Sequence, residues 1–87
     1  MATIKLKNGF ECELDDDQFD DMELLDDLAE VLGGNTLKLG SAVSRVFGDD
    51  KKRFYDSVRN KAGRVQTRAT MEALTEAMTL LKQGKNS

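Results

Sequence analysis

The chain has 87 residues, a formal net charge of −3, one cysteine and no histidine, and this length predicts a single domain, which we place at residues 1–83. The cysteine and histidine counts exclude a disulfide framework, histidine-based catalysis and histidine-ligated metal sites. No signal peptide is visible and no apolar run reaches the length of a membrane span, so we expect neither secretion nor a membrane partner.

Residues 3–14 are predicted to form a β-hairpin, because apolar and polar residues alternate on both sides of Asn8-Gly9 in "ATIKLKNGFECEL". A strict two-residue turn would put the apolar residues of the two strands on opposite faces, so we expect a three-residue loop or a bulge at Phe10. An isolated hairpin is only marginally stable, so its apolar face should lie on helices, or its edge should pair with a second subunit. The expected cross-strand pairs are Ile4–Leu14, Leu6–Cys12, Lys5–Glu13 and Lys7–Glu11.

The acidic stretch "DDDQFDDMELLDDLAEVL", residues 15–32, is predicted to form an amphipathic helix over about 17–32. At about 100° per residue, its apolar residues occupy one half of a helical wheel, which we expect to be buried. Asp15, Asp16 or Asp17 is expected to cap this helix, and the two glycines that follow residue 32 are expected to end it. The apolar half consists of Met22, Leu24, Leu25, Leu28, Ala29, Val31 and Leu32, and the opposite half of Asp20, Glu23, Asp26, Asp27 and Glu30.

Four carboxylates of this helix are candidate partner-binding residues, namely Glu23, Asp26, Asp27 and Glu30. Aspartate is a poor helix former and carboxylates near the C-terminal end oppose the helix dipole, so the excess costs on the order of a few kcal/mol locally. Compensation can come from the solubility that charge provides, from the basic half of the same chain, or from a basic partner. The sequence leaves these three explanations open.

Three further helices are predicted at about 36–47, 50–61 and 68–82, followed by a frayed tail at 84–87. The predicted fold class is therefore mainly α, a small four-helix domain with an N-terminal β-hairpin. The last helix carries a methionine-rich apolar stripe, which is a candidate partner-binding surface because methionine adapts to varied partners; in a small protein the same stripe can simply be core. The stripe consists of Met71, Leu74, Met78 and Leu81.

No constellation of reactive residues is found, so we expect no catalytic, cofactor or metal site and no enzyme activity. Cys12 lies in the middle of a predicted strand with no histidine to activate it, which is typical of a buried small apolar residue. The carboxylates from Asp15 onward lack the spacing of a calcium loop, because the sixth position is Asp20 rather than glycine and the twelfth is Asp26 rather than glutamate.

Charge is divided unevenly along the chain. Residues 1–32 carry eleven acidic and two basic side chains, for a charge of −9, and residues 33–87 carry five acidic and eleven basic ones, for +6. The basic cluster at 51–68 could hold phosphates, so a small nucleic-acid-binding or regulatory protein is the alternative function. The acidic chain would repel a polyanion, which favours a solvated basic face or a docking site for the acidic helix, and no nucleic-acid partner. The cluster consists of Lys51, Lys52, Arg53, Arg59, Lys61, Arg64 and Arg68.

Three segments together resemble the small tail assembly chaperones of long-tailed (siphovirus-type) phages and prophages. They are the hairpin "IKLKNGFECEL", the acidic stretch "ELDDDQFDDMELLDDLAEV", and "GRVQTRATMEALTEAM", in which a Gly-Arg-Val turn precedes the last helix. The resemblance spans nearly the whole chain, and the middle part, "NTLKLGSAVSRVFGDDKKRFYDSV", is similar in type only.

The resemblance implies a non-enzymatic role in virion morphogenesis, performed in the cytoplasm of the host bacterium and not in the mature virion. Such chaperones bind the long, helical, aggregation-prone tape measure protein, keep it soluble, and leave as the tail tube protein polymerises. A longer form is often made by translational frameshifting, and its extension recruits the major tail (tube) protein. Here Gly84-Lys85-Asn86 permits the codons GGA-AAA-AAC, which contain a slippery heptamer. Homo-oligomerisation is left open.

Overall fold

The structure, a computed structural model, describes residues 1–85. It is mainly helical, with 60% of the residues in helices, and it begins with a two-stranded antiparallel hairpin. Both of these features confirm the prediction. The hairpin pairs β1 (Ala2–Lys5) with β2 (Glu11–Leu14), and its apolar face lies on the helices as the alternation of side chains requires.

The predicted register of the hairpin is wrong by two residues. None of the predicted cross-strand pairs forms, and the observed partners are Ala2–Leu14, Thr3–Glu13, Ile4–Cys12 and Lys5–Glu11. A shift of two residues leaves every side chain on its predicted face of the sheet, so the apolar face is unchanged. The salt pairing does change, because the Lys5 ammonium now lies 3.9 Å from the Glu11 carboxylate.

Phe10 accounts for the shift. Its ring is 4% exposed and packs edge-on against the rings of Phe47 and Phe54, with centroids 5.6 and 5.4 Å away. Leu6 therefore pairs with Phe10, its N–H donating to the Phe10 carbonyl at 2.8 Å. Residues 7–9 form the loop, in which the glycine adopts φ +95°. Burial of an aromatic ring outweighs two exposed salt pairs, which contribute at most about 1 kcal/mol each.

The first α-helix, α1, spans Met22–Leu32 and begins later than predicted. Asp21 is its N-cap, and the Asp21 carboxylate accepts the N–H groups of Glu23 and Leu24 at 3.0 and 3.3 Å. The backbone of Asp21 is extended, with φ −146° and ψ 109°, so Asp21 lies outside the helix and α1 begins at the next residue. The three aspartates that were expected to cap the helix lie in turns over 15–20 instead.

Residues 36–57 form one uninterrupted helical segment, so residues 1–85 contain three helical segments rather than the predicted four. Gly48 lies inside this segment, between two helices predicted as separate, and has φ +51°. The N–H of Gly48 nevertheless donates to Ser44 and its carbonyl accepts from Lys51, so hydrogen bonding continues through the glycine. The segment consists of a 3₁₀ turn (Thr36–Lys38), α2 (Leu39–Phe47), a second 3₁₀ turn (Gly48–Asp50) and α3 (Lys51–Ser57).

The last helix, α4, spans Thr67–Lys85 and therefore continues into the predicted tail. Of that tail, residues 86–87 lie outside the described part of the chain. The helix before it, α3, ends earlier than the predicted residue 61. There the Asn60 side chain accepts two backbone N–H groups of the following turn, which holds that turn out of helical geometry.

One apolar core joins the hairpin to the helices, with β1 against α4 and α1 against α2. At its centre the rings of Phe47 and Phe54 stack with centroids 4.2 Å apart, and Phe10 packs on both. The buried apolar residues are Ile4, Leu6, Phe10, Cys12, Leu14, Leu24, Leu39, Ala42, Val43, Val46, Phe47, Phe54, Ala73, Leu74, Ala77 and Leu81.

Polar contacts also tie the hairpin to the helices. The Arg53 guanidinium of α3 donates to the Glu11 carbonyl at 2.7 Å and lies 4.6 Å from the centre of the Phe10 ring. In the hairpin loop, the N–H of Lys7 donates to the Glu76 carboxylate of α4 at 2.9 Å. Side chains of α3 and α4 therefore fix the hairpin in place beyond what its apolar face provides.

Candidate functional site

The acidic half of α1 meets one arginine of α2. The Arg45 guanidinium lies 4.0, 3.4 and 3.4 Å from the carboxylates of Asp21, Glu23 and Asp27, respectively. Asp27 is the most enclosed of the three, with its side chain 13% exposed, and its Oδ2 is buried without a hydrogen bond to the described residues. Two of the four candidate carboxylates are thus compensated from within the chain.

The other two candidate carboxylates, Asp26 and Glu30, are exposed. Glu30 lies 3.8 Å from the ammonium group of Lys38, in the 3₁₀ turn that follows α1. Asp26 forms no ion pair with the residues that the structure describes. Exposed ion pairs of this kind contribute about 0–1 kcal/mol each, so the basic half of the chain offsets only part of the local cost of the acidic helix.

The apolar half of α1 is only partly buried, contrary to the prediction. Leu24 is fully buried, and Leu28 and Val31 pack against the core. The remaining residues form the α1 apolar stripe, which consists of Met22, Leu25, Ala29 and Leu32. Its three large side chains are 68, 43 and 79% exposed, in chain order. A helix that rests on one neighbouring helix buries only the arc that faces this neighbour, and the apolar arc of α1 is wider than that.

Leu37 enlarges the exposed apolar surface. It is 91% exposed and lies in the 3₁₀ turn Thr36–Lys38, which contacts α1. Single exposed leucines are ordinary on a protein surface, but several large apolar side chains on one exposed side of an element are typical of an interaction site. The outer side of α1 is therefore the candidate functional site.

The predicted stripe of α4 faces mainly inward. Leu74 and Leu81 are 2 and 3% exposed and belong to the core, whereas Met71 and Met78 are half-buried. Met78 lines a groove of about 300 Å³ together with Phe19 and two aspartates from the turns before α1. Within the folded chain, only the methionine part of the α4 stripe is accessible to a partner.

Two cations of the basic cluster at 51–68, Lys51 and Arg53, form hydrogen bonds within the fold. The Lys51 ammonium donates to the Gly40 carbonyl and the Ser44 hydroxyl at 3.1 and 2.7 Å, and the Arg53 guanidinium is held by the hairpin. These basic groups do not dock the acidic helix, whose carboxylates meet Arg45 and a lysine outside the cluster.

Arg59 is likewise occupied, since its guanidinium bonds the Asp56 carboxylate at 2.8 and 3.2 Å and the Gly63 carbonyl at 2.7 Å. The hydrogen bond from Arg59 holds the pKa of the Asp56 carboxyl below its ordinary value. Four exposed cations of the cluster remain, Lys52, Lys61, Arg64 and Arg68, fewer than the seven that the sequence suggests. A phosphate backbone would therefore meet a weaker positive surface than the count of basic residues implies.

Cys12 is 6% exposed on the inner face of β2. Burial raises the pKa of the Cys12 thiol to about 11, the charge of Asp50 adds to this rise, and Arg53 opposes it. A thiol that stays protonated at neutral pH is a poor nucleophile and a poor metal ligand.

Within residues 1–85, no three histidine, cysteine, aspartate or glutamate side chains lie close enough together to hold a metal ion. None of the described helices combines the length and the apolar character that crossing a membrane requires. A groove of about 500 Å³ lies between the hairpin turn, the end of α3 and α4. Glu72 and Glu76 line it, and the Ser57 hydroxyl, which also lines it, donates to the Phe54 carbonyl at 2.6 Å.

Sequence reasoning missed two residues of this region. Arg45 lies on the polar side of α2, where nothing in the local pattern identifies the three carboxylates that it meets. Phe19 is half-buried and packs against the core from an otherwise polar run, and a lone aromatic residue among aspartates was the available signal for it. Comparisons of the chain with protein-family models, with curated proteins and with solved structures gave no match.

Proposed function

We propose that the chain is a tail assembly chaperone of a long-tailed phage or prophage, which binds the tape measure protein and keeps it soluble until the tail tube forms. The observation that supports this most directly is the α1 apolar stripe, which is exposed beside a row of carboxylates. A chaperone for an aggregation-prone client needs such a surface to cover apolar segments of the client. The resemblance in "ELDDDQFDDMELLDDLAEV" covers the same helix.

In this role the two sides of α1 act together. The apolar stripe covers apolar side chains of the client, and the neighbouring carboxylates keep the complex charged and dissolved. The groove at Met78 offers a second, smaller apolar contact. Binding takes place in the cytoplasm of the host bacterium and ends when tube protein polymerises around the client, so the chaperone is absent from the mature virion.

Co-expression with the tape measure protein tests this function. The soluble fraction of the tape measure protein should rise when this chain is present, and the two should elute together on size exclusion. The control is the same client expressed alone and with an unrelated acidic protein of similar size. A client that is equally insoluble in all three cultures would remove the function.

The gene provides an independent check. It should lie between the gene for the major tail protein and a long gene for the tape measure protein. A slippery heptamer across the codons of Gly84-Lys85-Asn86 would allow a longer form that recruits the tube protein. Other codons at these positions would mean that no frameshift occurs there.

The alternative function, nucleic-acid binding through residues 51–68, has less support, because Lys51, Arg53 and Arg59 are engaged within the fold. Titration of labelled DNA and RNA at low salt distinguishes the two. Salt-sensitive binding would favour the alternative, and an unchanged signal would remove it.

A further inference from the structure

The α1 apolar stripe has the spacing of a coiled-coil seam. Its members follow one another from Met22 to Leu32 at intervals of three, four and three residues, which is the spacing of the a and d positions of a heptad. At 1.5 Å per residue the stripe is about 15 Å long. A straight seam of this kind matches the apolar stripe of another helix, whereas an extended strand presents its side chains with a period of two.

Carboxylates border this seam on one side. On the helical wheel Asp26 comes directly after the stripe, and Glu30 and Glu23 follow it. Asp26 is exposed and forms no ion pair with the described residues. The sequence has no basic residue between Lys7 and Lys38, so the chain places no lysine or arginine within α1 itself. Glu30 and Glu23 lie near Lys38 and Arg45, so the uncompensated negative charge beside the seam is that of Asp26.

This charge decides which helix fits. A second copy of α1 would bring the same carboxylates to the seam, and like charges across a helical interface are destabilising. A helix that carries lysine or arginine beside its apolar residues meets both requirements, since it covers the leucines and neutralises Asp26. The partner is therefore amphipathic, helical and basic.

We propose that the α1 apolar stripe and Asp26 together bind an amphipathic helix whose apolar stripe is flanked by lysine or arginine. This binding step rests on the proposed function, because it assigns the contact with the client to α1 and states the chemistry of the client segment. The half-buried methionines of α4 lie outside this contact.

A pair of synthetic helices provides the test. One peptide of about 21 residues, long enough to be helical, carries leucine at its a and d positions and lysine at e and g; its counterpart carries glutamate at e and g. Each fluorescently labelled peptide is titrated with the full chain. The lysine peptide should bind saturably and lose affinity as salt rises, and the glutamate peptide should bind about tenfold more weakly or not at all.

Two variants locate the binding surface. Leu25 and Leu32 are replaced together by glutamine, which is also a good helix former and suits exposed positions. This double variant should bind the lysine peptide about tenfold or more weakly, and its thermal unfolding midpoint should be nearly unchanged. Asp26→Lys should reverse the preference between the two peptides. Glu72→Lys makes the same change of charge on α4 and should leave both affinities as they are.

Several results would overturn this assignment. They are no binding of either peptide, equal binding of the two peptides, and lysine-peptide binding that survives the double glutamine variant. Analytical ultracentrifugation can give a further contradicting result. If the wild type is a dimer and the double glutamine variant is a monomer, a second copy of the chain covers the stripe.

The outcome can be separated from that of the proposed function. If this chain solubilises the tape measure protein and the double glutamine variant does so equally well, the function stands and α1 is not the contact. If the lysine peptide binds at α1 while the tape measure protein stays insoluble, α1 is a binding surface for basic helices and the proposed chaperone function is wrong.

Discussion

Arg45 of the basic half of the chain meets three carboxylates of the acidic half. The Arg45 side chain is 35% exposed, and of the three side chains it contacts, that of Asp27 is the most enclosed. A carboxylate that loses its cation while remaining out of water costs more than the pair contributed, because its desolvation is no longer compensated. The contact is therefore expected to matter more than an ordinary surface ion pair.

Replacing Arg45 by methionine keeps the apolar stem and removes the charge. We expect a loss of about 1–2 kcal/mol in the free energy of unfolding, measured by urea denaturation. Arg68→Met is the matched control, since Arg68 is 93% exposed and lies 4.0 Å from Glu72, and it should cost less than about 0.5 kcal/mol. Equal losses in the two variants would contradict the role given to Arg45.

Cys12 gives the stability a dependence on alkaline pH. Folding raises the pKa of its thiol from 9.0 to about 11, so the folded state keeps a proton that the unfolded state releases. This stabilisation is complete below pH 9 and is lost as the pH rises through about 11, by on the order of 2 kcal/mol. Urea midpoints of the wild type and Cys12→Ala should therefore converge across this range. Parallel pH profiles would show that the thiol is not coupled to folding.

Among the elements, α1 shows how a cap sets the position of a helix. Replacing Asp21 by alanine should cost about 1 kcal/mol and reduce the helical circular dichroism signal, because two N–H groups lose their acceptor. Asp21→Asn should retain most of the stability, since asparagine also caps. Asp17→Ala should lie within about 0.5 kcal/mol of the wild type, because Asp17 is exposed in a turn. A comparable loss of stability from Asp17→Ala would contradict the assignment of Asp21 as the N-cap.

The hairpin and the helices could be predicted from the sequence because alternation and periodicity depend on neighbouring residues. The register could not, since it depends on the contacts of Phe10 with two distant rings. The start of α1 required knowledge of which of five nearby aspartates adopts an extended backbone, and the number of helical segments depended on Gly48. Each of these features is decided by tertiary contacts or backbone angles that composition does not encode.

The candidate site was predictable by residue type and not by exposure. The carboxylates of α1 and the methionines of α4 were identified, but Leu74 and Leu81 proved to be core. The exposure of Leu25 and Leu32 follows from the limited surface that α2 offers to α1. A helical wheel ranks residues by direction, and it does not say how wide an arc the neighbouring helix will cover.

At the scale of the whole molecule, three phenylalanine rings connect the hairpin, α2 and α3. A two-stranded hairpin is not stable alone, so it should unfold together with the helices. A domain of this size has little stability to spare, and a change in these rings should therefore affect every element at once.

Phe54→Leu tests this cooperativity. Phe54 is fully buried in the ring stack, and its replacement should cost about 1–3 kcal/mol. Amide exchange at Leu6 in the hairpin and at residues of α4 should accelerate by the same factor. Tyr55→Leu, at a half-buried ring, should cost less. Faster exchange confined to the helices would show that the hairpin folds independently.

The contact between Arg53 and β2 has a consequence for misassembly. The N–H of Leu6 donates to the Phe10 carbonyl, so the carbonyl of the next residue, Glu11, points away from β1. The Arg53 guanidinium donates a hydrogen bond to this Glu11 carbonyl. In the loop that follows β1, the N–H of Lys7 donates to the Glu76 carboxylate. An unfolded chain that approached either border of the sheet would find these backbone groups already bonded. For the proposed chaperone role, these two contacts would reduce the number of hairpin backbone groups with which an aggregating client could pair.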